Sequence, residues 1–181
     1  MNKYSVTNEQ LSFYRKHGYL LLKNIIDTQT IININRKIAD FIKQSRAVKN
    51  SNEVFDLDKN HSSAQPCIRR LKDPHTLDST FFNLSRDPRI VDRVAELLDG
   101  TVRFDHSKLN FKPANADAEI QWHQDWCFYP QTNDDMLAVG VLLEDCTLEN
   151  GPLMVIPESH KGPLYNHHNC LLYTSPSPRD A

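Results

Sequence analysis

The chain lacks a surplus of positive charge. Its 181 residues carry 21 Lys and Arg against 23 Asp and Glu, a formal net charge of −2. Nucleic-acid binding and polybasic membrane binding both rest on a cationic excess, so neither partner is expected. No uninterrupted apolar run exceeds five residues, far short of the ~20 that a membrane-spanning helix needs. The opening Met1-Asn2-Lys3-Tyr4-Ser5 has no apolar stretch of the secretory-signal kind. Cys67, Cys127, Cys146 and Cys170 show no Cys-x-x-Cys spacing. That argues against a zinc ribbon or a disulfide scaffold and fits a reducing, cytoplasmic compartment. No internal repeat is visible. What is present is a globular mixture, 39% hydrophobic and 24% charged, in a length that suits one domain.

Helix grammar fills the first half. Thr7-Asn8-Glu9-Gln10 reads as a capping box, and Gly18 as a left-handed stop. Tyr19 to Leu22 reads as a short buried strand. A second helix is predicted from about Thr28 to Ser45, with Ile31, Ile34, Ile38, Phe41 and Ile42 on one face. A third starts at Asp87, which caps, with Pro88 in the first helical position and Gly100 as terminator. Residues 46–80 are polar and show no clear period, with Ser51-Asn52 and His61-Ser62-Ser63 read as loop. Within them, Arg69, Arg70 and Lys72 fit a solvated basic loop, or groups that meet an anionic substrate or co-substrate. After Gly100 the pattern changes to strands, with candidates at Thr101–Lys112, Glu119–His123, Met136–Leu143 and Pro152–Pro157. Helices first and strands later imply an α+β layout.

The chemistry-bearing segment is Gln121-Trp122-His123-Gln124-Asp125-Trp126. On a strand, residues two apart share a face. His123 and Asp125 could therefore offer one metal ion an imidazole nitrogen and a carboxylate oxygen, two corners of a 2-His-1-carboxylate triad. Taken by itself, His-x-Asp also fits a solvated pair. The two flanking tryptophans, Trp122 and Trp126, fit either an aromatic wall around a metal or ordinary core packing.

Trp122-His123-Gln124-Asp125, together with the block from Glu149 to Gly162 (Glu-Asn-Gly-Pro-Leu-Met-Val-Ile-Pro-Glu-Ser-His-Lys-Gly), resembles the phytanoyl-CoA dioxygenase family. The stretch Phe13 to Tyr19 is similar to that family's opening helix-then-strand, and the resemblance runs from about residue 7 to 168. It implies a double-stranded β-helix, a cupin-like jelly roll with N-terminal flanking helices, and a non-haem Fe(II), 2-oxoglutarate-dependent dioxygenase. Such an enzyme uses O2 and 2-oxoglutarate to hydroxylate a small-molecule substrate. His123 and Asp125 match the first two iron ligands. Ser107 to Lys112 is similar to a strand of the ectoine hydroxylase branch, which implies a 2-oxoglutarate contact for Asn110. Gln124, between the ligands, is a candidate for co-substrate contact or for a structural hydrogen bond. A carboxylate at 125 implies hydroxylation; related halogenases have a small residue there.

Departures from the family pattern also set expectations. His106 stands where the ectoine branch has Gln, which counts against ectoine as substrate. The family's distal iron His and 2-oxoglutarate Arg lie downstream of the Glu149–Gly162 block. His160 fits a structural turn, and His167 and His168 a solvated loop. The expectation is a jelly roll incomplete at the C-terminus, a partial domain over 1–168, a non-native or disordered tail over 169–181, and an inactive fragment. Two other readings stay open at this point: a non-catalytic cupin-like metal-binding protein, and a zinc site in which Cys127 joins His123 and Asp125 on one strand face.

Overall fold

A computed structural model describes residues 3–113, 120–129, 132–133 and 135–165. The N-terminal helices form where their caps predict. Helix α1 spans Asn8–His17. The Gln10 amide donates to Thr7 Oγ1 at 3.2 Å, and the Thr7 amide donates back to Gln10 Oε1 at 2.9 Å. Gly18 ends the helix at φ 82°, a left-handed turn that glycine adopts without strain. Helix α2 spans Thr28–Ser45 and buries Ile34 and Phe41.

The polar stretch 46–80 is loop at Ser51-Asn52 and His61-Ser62-Ser63 but not throughout. It holds strands β1 (Phe55–Leu57) and β2 (Ile68–Lys72) and helices α3 (Pro74–Leu77) and α4 (Ser79–Ser85). Helix α5 spans Pro88–Leu97. Strand β3 is Lys108–Asn110, and the three strands form an antiparallel sheet in the order β1-β2-β3. Arg69 and Arg70 therefore lie in the central strand, not in a basic loop. The register shift between Asp56 and Leu57 leaves Arg69 without a β1 partner, a bulge that breaks the alternation of β2.

The register gives this sheet two distinct faces. Phe55, Leu71 and Leu109 sit side by side across the strands. They pack with Ile34 and Phe41 of α2 and Phe81 of α4 into the core. The adjacent row, Asp56, Arg70 and Asn110, points to the other face by strand alternation.

Several expected strands are absent among the described residues. Residues 19–22 are not a strand, and Leu21 is 66% exposed. Of Thr101–Lys112 only Lys108–Asn110 pairs. Residues 120–123, 136–143 and 152–157 contain no strand. Their apolar pattern favours extended backbone, but a strand also needs a ladder partner. Leu153, Met154, Val155 and Ile156 remain substantially exposed. At the end of α5 it is Asp99 that takes the left-handed conformation, at φ 54°, and Gly100 follows it. The Gly100 amide bonds to the Ala95 carbonyl, the longer bond of a Schellman closure. No described helix is long and apolar enough to cross a membrane.

The turn Glu158–Gly162 docks on the end of α1. The Glu158 amide donates to the His17 carbonyl at 2.9 Å, and His160 Nε2 lies 3.3 Å from the Arg15 carbonyl. A side chain at position 18 would collide with the His160 ring, which explains the need for glycine there. His160 thus has the structural role its turn suggests.

Three helix caps are carboxylates held ionised. Arg89 bridges Asp27 and Asp87, the caps of α2 and α5, at 2.6 Å each. Hydrogen bonding to Arg89 is the largest cause holding both carboxyls below the ordinary Asp value. The Thr80 amide does the same for Asp78, the cap of α4. A carboxyl with a lowered folded-state value stabilises the fold above its unfolded value and loses that contribution as pH falls. Urea denaturation should therefore show stability falling as pH drops below about 4. Asp87→Ala should cost about 1 kcal/mol at neutral pH, the usual size of a lost cap. Unchanged stability in that variant would contradict the capping role.

Candidate metal centre

The segment around His123 is extended up to Gln124 (φ −112°, ψ 121°) and then turns. Asp125–Cys127 form a single 3-10 turn, closed by the Phe128 amide donating to the Asp125 carbonyl at 2.9 Å. Asp125 therefore starts a turn and does not continue a strand. The extended Gln124 still brings the neighbouring side chains together: His123 Nε2 lies 3.4 Å from Asp125 Oδ1. The turn carries Cys127 away, and its Sγ lies 3.4 Å from the Tyr165 carbonyl. Among the described residues no three His, Cys, Asp or Glu side chains gather, so the zinc site with Cys127 does not form.

The ring of His123 has a defined orientation. Its Nδ1 lies 2.7 Å from the Gln121 carbonyl oxygen. A carbonyl only accepts, so Nδ1 carries the proton in that bond. In the neutral ring Nε2 is then a lone-pair nitrogen that faces a carboxylate oxygen. Two acceptors facing each other across 3.4 Å suit a cation between them. Ligand atoms about 2.1 Å from one ion and roughly 90–110° apart are separated by about 3.0–3.4 Å. The nitrogen-oxygen donor pair also suits Fe(II). A second partner on the far ring nitrogen is how metal-binding histidines are commonly fixed.

Trp122 adjoins His123 in the chain. It is 57% exposed, so it does not fill a core. The aromatic ring against His123 is Phe128, edge-on at 5.9 Å between centroids. Its neighbour Tyr129 lies under Lys108 Nζ at 5.8 Å and against the His106 ring at 4.6 Å. Neither residue was legible as part of the site, because the turn that places them interrupts the strand pattern. His106 is engaged with Asp105 at 2.8 Å and does not join His123.

Gln124 turns its amide to a different task. Its Nε2 donates to the Pro163 carbonyl at 3.1 Å, and its Oε1 accepts from the Tyr165 amide at 2.8 Å. This pair of bonds fastens residues 163–165 beside the turn that bears Asp125. Asn110 ends β3, opposite Arg70. Burial pushes the Cys67 thiol above its ordinary value, and Asp58 adds to the shift, which marks Cys67 as a packed rather than a reactive cysteine. His167, His168 and the whole 169–181 tail lie outside the described residues.

Comparison with known proteins decides the family. The profile of the phytanoyl-CoA dioxygenase (PhyH) family matches residues 14–175. The chain belongs to the phytanoyl-CoA dioxygenase family. Among curated relatives in this wider group, a probable alpha-ketoglutarate-dependent hypophosphite dioxygenase from Stutzerimonas stutzeri is 34% identical over 161 residues, covering 89% of this chain and 56% of the relative. An L-proline trans-4-hydroxylase from Streptomyces griseoviridis is 30% identical, covering 82% of this chain and 54% of the relative. The chain thus spans about half the length of these relatives. The crystal structure of EctD from S. alaskensis with bound Fe superposes with a TM-score of 0.60 at 20% identity, over 71% of this chain and 44% of that one. This likeness, together with the family, supports a jelly-roll fold. The described residues contribute its small antiparallel sheet and the helices around it.

Gln124→Leu should release residues 163–165, since both amide bonds are lost. Hydrogen exchange at the Tyr165 amide should speed up about tenfold. Unchanged exchange there would show that Gln124 does not fasten the segment.

Proposed function

We propose that this member of the phytanoyl-CoA dioxygenase family belongs to a non-haem Fe(II), 2-oxoglutarate-dependent oxygenase that hydroxylates a small molecule. The observation that carries the reading is the facing pair His123 Nε2 and Asp125 Oδ1, with the far ring nitrogen held by Gln121. The names of the relatives support the reaction class: alpha-ketoglutarate-dependent hypophosphite dioxygenase, L-proline trans-4-hydroxylase and ectoine dioxygenase. A bound Fe in the EctD structure supports the choice of metal.

In this reading His123 and Asp125 supply two protein ligands. With 2-oxoglutarate and O2, iron at such a site supplies the oxidation that hydroxylates a C–H bond while the co-substrate becomes succinate and CO2. Gln121 holds the proton on His123 Nδ1 and so keeps Nε2 available. Phe128 packs edge-on against the ring and helps to hold its orientation. Asn110 presents an amide that can donate to a co-substrate carboxylate. We assign Gln124 to positioning, because its amide fastens residues 163–165. The carboxylate at 125 favours hydroxylation over halogenation.

Residues 1–181 by themselves are further proposed to bind metal weakly and not to turn over. Two supports are the absence of a third His, Cys, Asp or Glu beside the pair among the described residues and the half-length coverage of the relatives. Mn(II) serves as a probe of the pair by electron paramagnetic resonance. His123→Ala and Asp125→Ala should each weaken Mn(II) binding about tenfold or more. Equal affinity in wild type and both variants would remove the metal assignment. Iron-loaded chain supplied with 2-oxoglutarate should release no succinate; stoichiometric succinate would overturn the inactivity proposal.

A further inference from the structure

The outward face of the sheet carries a guanidinium whose Nε has no hydrogen-bond partner among the described residues. Arg70 lies in the central strand β2, directly opposite Asn110 of β3. Its Nε is buried and makes no hydrogen bond. Buried N–H groups are satisfied in nearly all native structures, so an orphan on a guanidinium calls for an explanation. Asp56 stands opposite Arg70 on the β1 side, yet it forms no ion pair with it among the described residues. Lys108, diagonal to Arg70 on the same face, has its ammonium over the Tyr129 ring rather than on a carboxylate. The other nearby cation, Lys72, is already bonded to the Asn52 carbonyl at 2.8 Å.

This face adjoins the metal pair. Phe128 touches the His123 ring, and the next residue, Tyr129, touches Lys108. Two consecutive residues therefore connect the iron ligands to the row that holds Arg70 and Asn110. A guanidinium offers planar paired donors that match the oxygens of a carboxylate or of a phosphorus oxyanion. We infer that Arg70, with Asn110 beside it and Lys108 across the row, receives an oxyanion next to the His123–Asp125 centre. The inference rests on the metal-centre reading and adds an anionic group to what that centre handles. The oxyanion has two possible sources with one chemistry: a carboxylate of the 2-oxo acid co-substrate, or an anionic substrate.

The test uses the 181-residue chain, with 2-oxoglutarate and hypophosphite as probes and binding followed by tryptophan fluorescence and calorimetry. Arg70→Gln should weaken binding of at least one probe about tenfold or more, and Arg70→Lys should retain part of it, because a charge remains while the paired donors are lost. Loss confined to 2-oxoglutarate assigns the site to the co-substrate; loss confined to hypophosphite assigns it to substrate. No binding of either probe by wild type, or equal binding by wild type and Arg70→Gln, overturns the inference. Thermal melts of each variant confirm folding. Mn(II) titration of the same samples separates the two readings. Mn(II) binding that still depends on Asp125 while the anion result fails overturns the Arg70 assignment alone. Mn(II) binding indifferent to Asp125→Ala overturns the metal reading and leaves the anion measurement standing.

Discussion

The Gln121 carbonyl accepts a hydrogen bond from His123 Nδ1, and the chemistry of the site follows from where that leaves the other ring nitrogen. In the neutral ring with Nδ1–H, Nε2 is the lone-pair nitrogen. It faces Asp125 Oδ1 at 3.4 Å. Had the ring turned over, the proton would point at the carboxylate and the pair would be an ordinary hydrogen bond. A local backbone contact, two residues back in the chain, thus favours the ring orientation that the proposed metal pair requires.

Larger elements hold this arrangement in place. The sheet turns Phe55, Leu71 and Leu109 toward α2 and α4, and Leu71 is fully buried. Because alternation is strict away from the bulge, anchoring that row commits Asp56, Arg70 and Asn110 to the opposite face. On the other side, Gln124 binds residues 163–165, and the nearby Glu158–Gly162 turn rests on the end of α1. Lys112 Nζ reaches the Gly151 carbonyl. The segments that resemble the family most closely are thereby tied to both the first helix and the third strand.

Helices α1, α2 and α5 were legible from their caps or apolar face, whereas the short α3 and α4 were not. Thr7, Asp27 and Asp87 accept hydrogen bonds from helix amides, and side-chain caps need no distant partner to act. The sheet was less legible. Strand β2 reads Ile-Arg-Arg-Leu-Lys, and the bulge at Arg69 removes the two-residue period that would have revealed it. The converse error occurred at 136–143 and 152–157, where an apolar extended pattern carries no information about a ladder partner. At the site, the spacing of His123 and Asp125 was enough to bring them together even though Asp125 begins a turn. Phe128 and Tyr129 depend on how that turn meets the sheet, which short-range spacing does not encode.

The most direct test is the protonation of the His123 ring, read by nitrogen NMR of the labelled chain before and after adding Cd(II) as a diamagnetic probe. The account predicts a protonated Nδ1 and a bare Nε2 without metal, and a shift of Nε2 alone, with Nδ1–H retained, once the ion is added. A ring protonated at Nε2, or one whose Nε2 resonance ignores the ion, would contradict it.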